Sequence, residues 1–465
     1  MKVMKMVKMI SLMMAVLLFC AACTMPGSPE HLAQETSQIN GVDLSEFAIV
    51  YSEEDHDYSK RAAEYIQSEI LARTGLELAL IEEDERTAEY EIVVGETSRD
   101  ISARLEADTR YTQFAILAED RQVALEGDYF IIAAAAYFFI ETYVPRDDFS
   151  AEIPKEVCIH EPIVEEADNF ILLIGDGMGL YQTLLFDVLE NTDVYSDGED
   201  LFYGYYLPYM GLARTTSLSG TTDSAAAGTA LACGIKTINS YLGQTKLHTP
   251  VKSITELAGW LGKSTAIMST DVCTGATPAA FTSHAAARTK NDTILRCQAK
   301  LQSEYGTIID CDLNQYVGAD IAVIEEKIEN ALAAVSENEN GFFFMYEEGY
   351  IDKYCHNNDI TNTYTMVRRF NQAIARFMEY AFYHPNTFVL ITADHETGKL
   401  LPNGSGGYSY NHGDHSSHYV PVFAYGDGAE LFDDIVVENI QIPQTIATFM
   451  GVVNFGDQST YKPLS

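Results

Sequence analysis

Basic residues are scarce in this chain. Its 465 residues hold 29 Lys and Arg against 68 Asp and Glu, a formal net charge of −39. No basic block is present to track a phosphate backbone, which disfavours nucleic-acid binding as a main role. The same acidity repels anionic substrates, so any chemistry on a phosphate group requires strong local positive charge. CxxC spacing is absent beyond residue 23: Cys158, Cys233, Cys273, Cys297, Cys311 and Cys355 stand apart, against a cysteine-built zinc site. Cys297 and Cys311 are near enough to close a short surface loop as a disulfide, although spacing alone decides no pairing. The apolar run 9–19 is too short to span a bilayer.

What is present begins with a targeting segment. Lys2, Lys5 and Lys8 form a basic start, residues 9–19 an apolar stretch, and Cys20-Ala21-Ala22-Cys23 follows. This resembles a bacterial lipoprotein signal, with cleavage before Cys23 and lipid added to that cysteine. Cys20 stands where leucine is more usual, and the competing expectation is ordinary secretory cleavage. Residues 1–22 are thus expected to be a signal peptide and 23–41 a polar tether. The expected destination is the outside of a bacterial membrane, anchored or secreted.

The length leaves room for two or three domains. Residues 42–165 read as a small α/β domain. Phe47–Tyr51 and Tyr90–Val94 are strand-like, Tyr58–Thr74 carries apolar residues at helical spacing before Gly75, and 114–118 with 122–125 suggest a hairpin. An alanine-rich helix is expected over 129–143, ended by Pro145. The layout resembles small α/β domains that accompany extracellular carbohydrate-active enzymes. No catalytic constellation is found in it; His56 reads as a surface histidine.

From 168 to 465 the pattern changes. The apolar run 170–174 suits a central parallel strand covered on both faces, and it ends in Gly175-Asp176-Gly177-Met178-Gly179. Strand-like runs at 264–268, 341–345, 387–391 and 420–424 each lie beside polar, ligand-type residues. These are Thr277 with His284 and Arg288, then Glu347, Glu348, Asp352 and His356, then Asp394 and His395, then His412, Asp414, His415 and His418. Helical patterns separate the strands. The expected fold is therefore α/β, a doubly wound and mostly parallel sheet flanked by helices, with one composite site at the strand ends.

One further stretch organises that site. In Thr221-Thr222-Asp223-Ser224-Ala225-Ala226-Ala227-Gly228, Asp223 reads as an N-cap and Ser224 falls in the first helical turn, where negative charge is favoured. Such a serine can become an alkoxide or carry a phosphoryl group; alternatively the small residues simply pack a tight helix. Mixed histidine and carboxylate ligands suit zinc, and oxygen ligands suit magnesium.

The chain resembles the alkaline phosphatase family from about 168 to 454. The resemblance rests on Gly-Asp-Gly-Met-Gly at 175–179, Thr-Asp-Ser-Ala-Ala-Ala at 222–227, Ala-Thr-Pro-Ala-Ala at 276–280 with Arg288, Ile-Asp-Lys-x-x-His at 351–356 and Thr-Ala-Asp-His at 392–395. It implies one zinc on Asp352, His356 and His415, and a second on Asp176, Asp394 and His395 beside the nucleophile Ser224. It implies a magnesium on Asp176, Thr277 and Glu347, with phosphate clamped by Arg288 and touched by Lys353. Three divalent cations against the four carboxylates and a serine alkoxide leave the site net positive once Arg288 is added. Gly275 stands where the family often has Asp or His, which puts the magnesium in question. The implied reaction is hydrolysis of small phosphate monoesters through a phosphoserine. Phosphodiester or sulfate-ester hydrolysis, mutase chemistry and a non-catalytic surface lipoprotein are the competing expectations. The tyrosines at 203, 205, 206 and 209 could line the entrance to the site but read rather as core or dimer packing, and a homodimer is common in the family.

Overall fold

A computed structural model describes residues 37–52, 57–84, 87–105, 112–146, 149–186, 201–316, 321–457 and 462–464. The expected signal peptide, Cys23, most of the tether and His56 lie outside the described residues. No helix among the described residues is long and apolar enough to cross a membrane.

The first layer is a six-stranded sheet built from β1 (Phe47–Tyr51), β2 (Ala79–Glu82), β3 (Tyr90–Val94), β4 (Phe114–Glu119), β5 (Gln122–Glu126) and β6 (Cys158–His160), in spatial order β2-β1-β3-β5-β4-β6. The β4–β5 hairpin turns at Asp120, whose φ is +48°, and is antiparallel. Helix α1 (Tyr58–Thr74) ends at Gly75, whose φ of +76° lets its N–H reach the Leu71 carbonyl. A Cβ would strain that left-handed conformation. Helix α2 (Ile132–Tyr143) follows a 3-10 turn over Tyr129–Ile131, so the expected helix has a tight first turn. Gln38–Ile39 pairs with Val42–Asp43 and with Ser150–Ala151, so the chain is already built into this part inside the stretch read as a tether.

The second layer is an eight-stranded sheet. Its strands are β7 (Asn169–Gly175), β8 (Tyr209–Arg214), β9 (Ser264–Ser269), β10 (Ile308–Asp310), β11 (Phe342–Glu348), β12 (Thr387–Thr392), β13 (Val420–Tyr425) and β14 (Val436–Glu438), in spatial order β10-β9-β11-β7-β12-β13-β8-β14. The five strands from β10 to β12 run parallel. β13 is antiparallel to both β12 and β8. The central strands β7, β11 and β12 are buried along their whole length, as their near-continuous apolar sequence demands. This is the doubly wound, mostly parallel α/β fold read from the sequence.

Four helices matter for the site. They are α3 (Ser224–Cys233), α4 (Ala276–Thr282), α5 (Tyr350–His356) and the long α6 (Ile360–Tyr383). α6 also carries the first layer. Arg61 of α1 donates to Glu379 at 2.9 Å, Arg376 reaches Asp57 and Glu325 at 3.1 Å each, and Tyr65 stacks on Tyr383 at 4.1 Å. Tyr203 is fully buried against Phe130, so that member of the tyrosine segment is core packing between the layers. All six cysteines of the described residues are free thiols. Cys311 is buried and its thiol meets Cys273, which corrects the suggested closure with Cys297.

Candidate active site

The central strands end level. Gly175 at the end of β7 pairs with Glu348 at the end of β11, and Ile174 pairs with Thr392 at the end of β12. Asp176, Glu347 and Asp394 therefore converge at one edge of the sheet, each buried. Side chains alternate along β11. Glu347 faces the cluster, whereas Glu348 turns away to Arg369 of α6 and accepts from Thr270 at 2.9 Å. The two adjacent glutamates are thus separated in role by the pleat.

Asp223 caps α3: its Oδ1 accepts from the Ala226 N–H at 3.0 Å. Its other oxygen accepts from Ser240 N–H at 2.9 Å and lies 3.5 Å from Arg288 Nη1. Ser224 is the first residue of the helix and is 4% exposed. Its Oγ lies 3.1 Å from His395 Nε2. The same nitrogen is 3.5 Å from Asp176 Oδ1 and 3.3 Å from Asp394 Oδ2. Ser224, both aspartates and the imidazole expected to share one cation are one contiguous group.

A second group adjoins it. One turn of α5 brings Asp352 Oδ2 to 3.3 Å from His356 Nε2, as residues four apart on a helix meet. His415, on the short strand His415–Ser416, places its Nε2 3.1 Å from that of His356 and 3.7 Å from Asp352 Oδ1. Ligand atoms of Asp352, His356 and His415 lie within 4.8 Å of one another, as do those of Asp176, Asp352 and His395. Asp352 sits between the two sets.

The imidazoles are pre-oriented. His356 Nδ1 donates to the Gly413 carbonyl at 2.5 Å, and His415 Nδ1 donates to the Thr222 carbonyl at 2.8 Å. A carbonyl only accepts, so each Nδ1 carries a proton. His395 Nδ1 is 3.2 Å from Thr397 Oγ1, which itself donates to Asp352. Anchoring every Nδ1 turns every Nε2 inward, the arrangement metal-ligating histidines adopt. Thr397 was not singled out from the sequence. The signal was there, because it lies two residues from His395 and so on the same face of extended chain.

The electrostatics follow from burial and crowding. Burial, then Asp394, Asp352 and Glu347, push the Asp176 carboxyl well above its ordinary range. Burial and Asp352 raise Asp394 to about 7, and burial and Asp271 raise Glu347 to about 8. Burial acts the same way on Asp352, but the His356 hydrogen bond and the charges of His395 and His356 hold it well below the usual carboxylate range. The hydrogen bond to Asp352 lifts His356 to about 9, while burial and His415 depress His395. Asp176 Oδ1, Asp394 Oδ2 and Thr277 Oγ1 are buried without a well-aligned hydrogen-bond partner. Orphaned oxygens of this kind are costly unless a cation takes them. The donor set, mixed nitrogen and oxygen in two groups and all oxygen at Asp176, Thr277 and Glu347, has the chemistry of divalent-cation ligands.

The profile of the alkaline phosphatase family matches residues 167–324 and 310–410. This chain belongs to the alkaline phosphatase family. Bacillus subtilis alkaline phosphatase 4 is 29% identical over 294 residues, 52% of this chain and 64% of its own length; B. subtilis alkaline phosphatase 3 is 26% identical over 340 residues, 62% and 72%. The chain therefore spans less than two thirds of the first of these relatives. The alkaline phosphatase of the Antarctic bacterium TAB5 superposes with a TM-score of 0.53 at 26% identity, covering 62% of this chain and 99% of that one. A variant of the TAB5 enzyme holds magnesium in its M3 site.

The remaining expected residues are placed as follows. Lys353 pairs with Asp271 at 2.5 Å and lies over the Tyr350 ring. His284 donates to the Gly243 carbonyl and pairs with Glu256, which belongs to the capping box of the helix Ile254–Trp260. That is a structural role. His412 Nδ1 accepts from the Asp414 N–H, and His418 lines a mainly apolar cavity with Leu180, Tyr181 and Tyr419. Neither joins the two ligand groups.

Proposed function

We propose that the chain hydrolyses phosphate monoesters, with Ser224 as nucleophile and a phosphoserine as intermediate. The observation that carries this reading is the 3.1 Å approach of Ser224 Oγ to His395 Nε2, within a buried group that includes Asp176 and Asp394. Asp352, His356 and His415 would hold one zinc, Asp176, Asp394 and His395 a second, and Asp176, Thr277 and Glu347 a magnesium. When bound, these cations supply Lewis acidity that lowers the serine pKa and neutralises charge on the reacting phosphate.

The protein's own groups do the rest. The N-terminal turn of α3 favours negative charge on Ser224. Asp223 Oδ2 lies 3.5 Å from Arg288 Nη1 and steadies the guanidinium, whose other N–H groups would take phosphate oxygens. Serine attack on phosphorus forms the Ser224 Oγ–P bond and expels the alcohol; water attack on that phosphoserine breaks the same bond and releases phosphate, restoring the hydroxyl. Family membership and the relatives' names support phosphoryl hydrolysis or transfer on this scaffold. The monoester class is our inference from Arg288 and the Asp-Ser helix start. Phosphodiester or sulfuryl substrates are the second reading. Comparing p-nitrophenyl phosphate with bis-p-nitrophenyl phosphate and p-nitrophenyl sulfate, before and after exhaustive chelation, tests it. Preferred hydrolysis of the monoester, lost on chelation and restored by zinc and magnesium, is expected.

The same proposal places the protein outside a bacterial membrane, anchored through lipid on Cys23, with 42–165 an accessory domain against the catalytic 168–465. A homodimer is proposed on family membership alone.

A further inference from the structure

Gly275 removes a side chain from the neighbourhood of Thr277, and the structure shows what fills the space. A Cβ built at 275 would lie 2.7 Å from Asp271 Oδ2. A Cβ at Gly349 would lie 3.0 Å from the Asp271 Cβ and 3.6 Å from the Glu347 carboxyl carbon. Two glycines on different segments thus leave room for one carboxylate, and that carboxylate reaches Lys353 at 2.5 Å. Its backbone is fixed from several sides. Asp271 N–H donates to Ser269 Oγ at 2.9 Å, Ser269 Oγ donates to Glu347, and the Asp271 carbonyl accepts from Asp312 N–H at 2.6 Å. Thr270, beside it, bridges Glu348 and the Gly349 N–H.

We infer that Asp271 is a positioning residue for the third cation, supplying from the end of β9 the negative charge that position 275 lacks and tethering Lys353 beside it. The inference rests on the cation-dependent reading above. It makes the magnesium site complete without a side chain at 275.

The test is titration of magnesium chloride into zinc-loaded protein by calorimetry, with no phosphate ester present. Asp271→Asn keeps the shape and removes the charge; its magnesium Kd is expected to rise about 10-fold or more with zinc content unchanged. Lys353→Met removes the competing cation and is expected to tighten magnesium, the opposite sign. Unchanged magnesium Kd in both variants, each with the zinc content of the wild-type protein, overturns the inference alone. Wild-type protein that binds neither metal and hydrolyses no ester overturns the underlying reading instead.

Discussion

His356 Nε2 and His415 Nε2 stand 3.1 Å apart, and each ring has already given its Nδ1 hydrogen to a backbone carbonyl. Two imidazole lone pairs cannot face each other at that distance without something positive between them. The hydrogen bond to Asp352 lifts His356 to about 9, which favours a proton on its Nε2. A divalent cation held by Asp352, His356 and His415, as proposed, would replace it. His415→Ala should therefore lose one zinc equivalent by elemental analysis while Asp176, Asp394 and His395 retain theirs, and kcat/KM should fall by at least 100-fold. Full zinc content in that variant contradicts the assignment.

Metal binding must also expel protons. Glu347 at about 8 and His356 at about 9 hold a proton at neutral pH in the metal-free protein, and Asp394 at about 7 holds one roughly half the time. Cations compete with those protons, so affinity should climb from pH 6 to pH 9 and flatten above it. Calorimetry at pH 7 in two buffers of different ionisation enthalpy should show net proton release on zinc loading. Zero release is the contrary result.

His284 gives a structural pH dependence with a definite sign. Burial opposes its charge, but the Glu256 hydrogen bond and charge and the Gly243 carbonyl raise its pKa in the folded protein. A raised folded pKa means that the stabilisation is complete below the unfolded value of about 6.5 and is lost as pH rises through the folded value. Glu256 is depressed, although burial acts the other way, so its share is lost instead as pH falls through that depressed value. His284→Gln should destabilise by about 1.5–3 kcal/mol at pH 6, and by less at pH 9, in urea unfolding.

Arg369 and Glu348 are both buried. Truncating one leaves the other charged and unpaired, so Arg369→Met should cost about 3–5 kcal/mol in denaturant unfolding. Zinc stoichiometry of the folded fraction should be unchanged, since Glu348 faces away from the cluster.

Much of this was legible in the sequence, for reasons tied to particular residues. The run 170–174 and the motif after it announced β7 and Asp176, and Asp223 announced the cap that starts α3. The resemblance selected Glu347 over Glu348; the pleat and Arg369 now account for it physically. The anchors of His356 and His415 were not legible, because Gly413 and Thr222 act through backbone carbonyls that any residue carries. Asp271 was missed because its role depends on two glycines, 275 and 349, brought together by the fold. The burial of Arg376 on α6 was hidden for a similar reason: a charged residue reads as solvated until the first layer is docked on it.

The account rests on Ser224 taking the phosphoryl group. Brief incubation of zinc- and magnesium-loaded protein with 32P-labelled phosphate monoester, acid quench and peptide mapping tests this directly. Label on the peptide containing Ser224, absent in Ser224→Ala with zinc content intact, is the result expected. Turnover of the ester by the Ser224→Ala protein at the wild-type rate, or label carried by another residue, contradicts it.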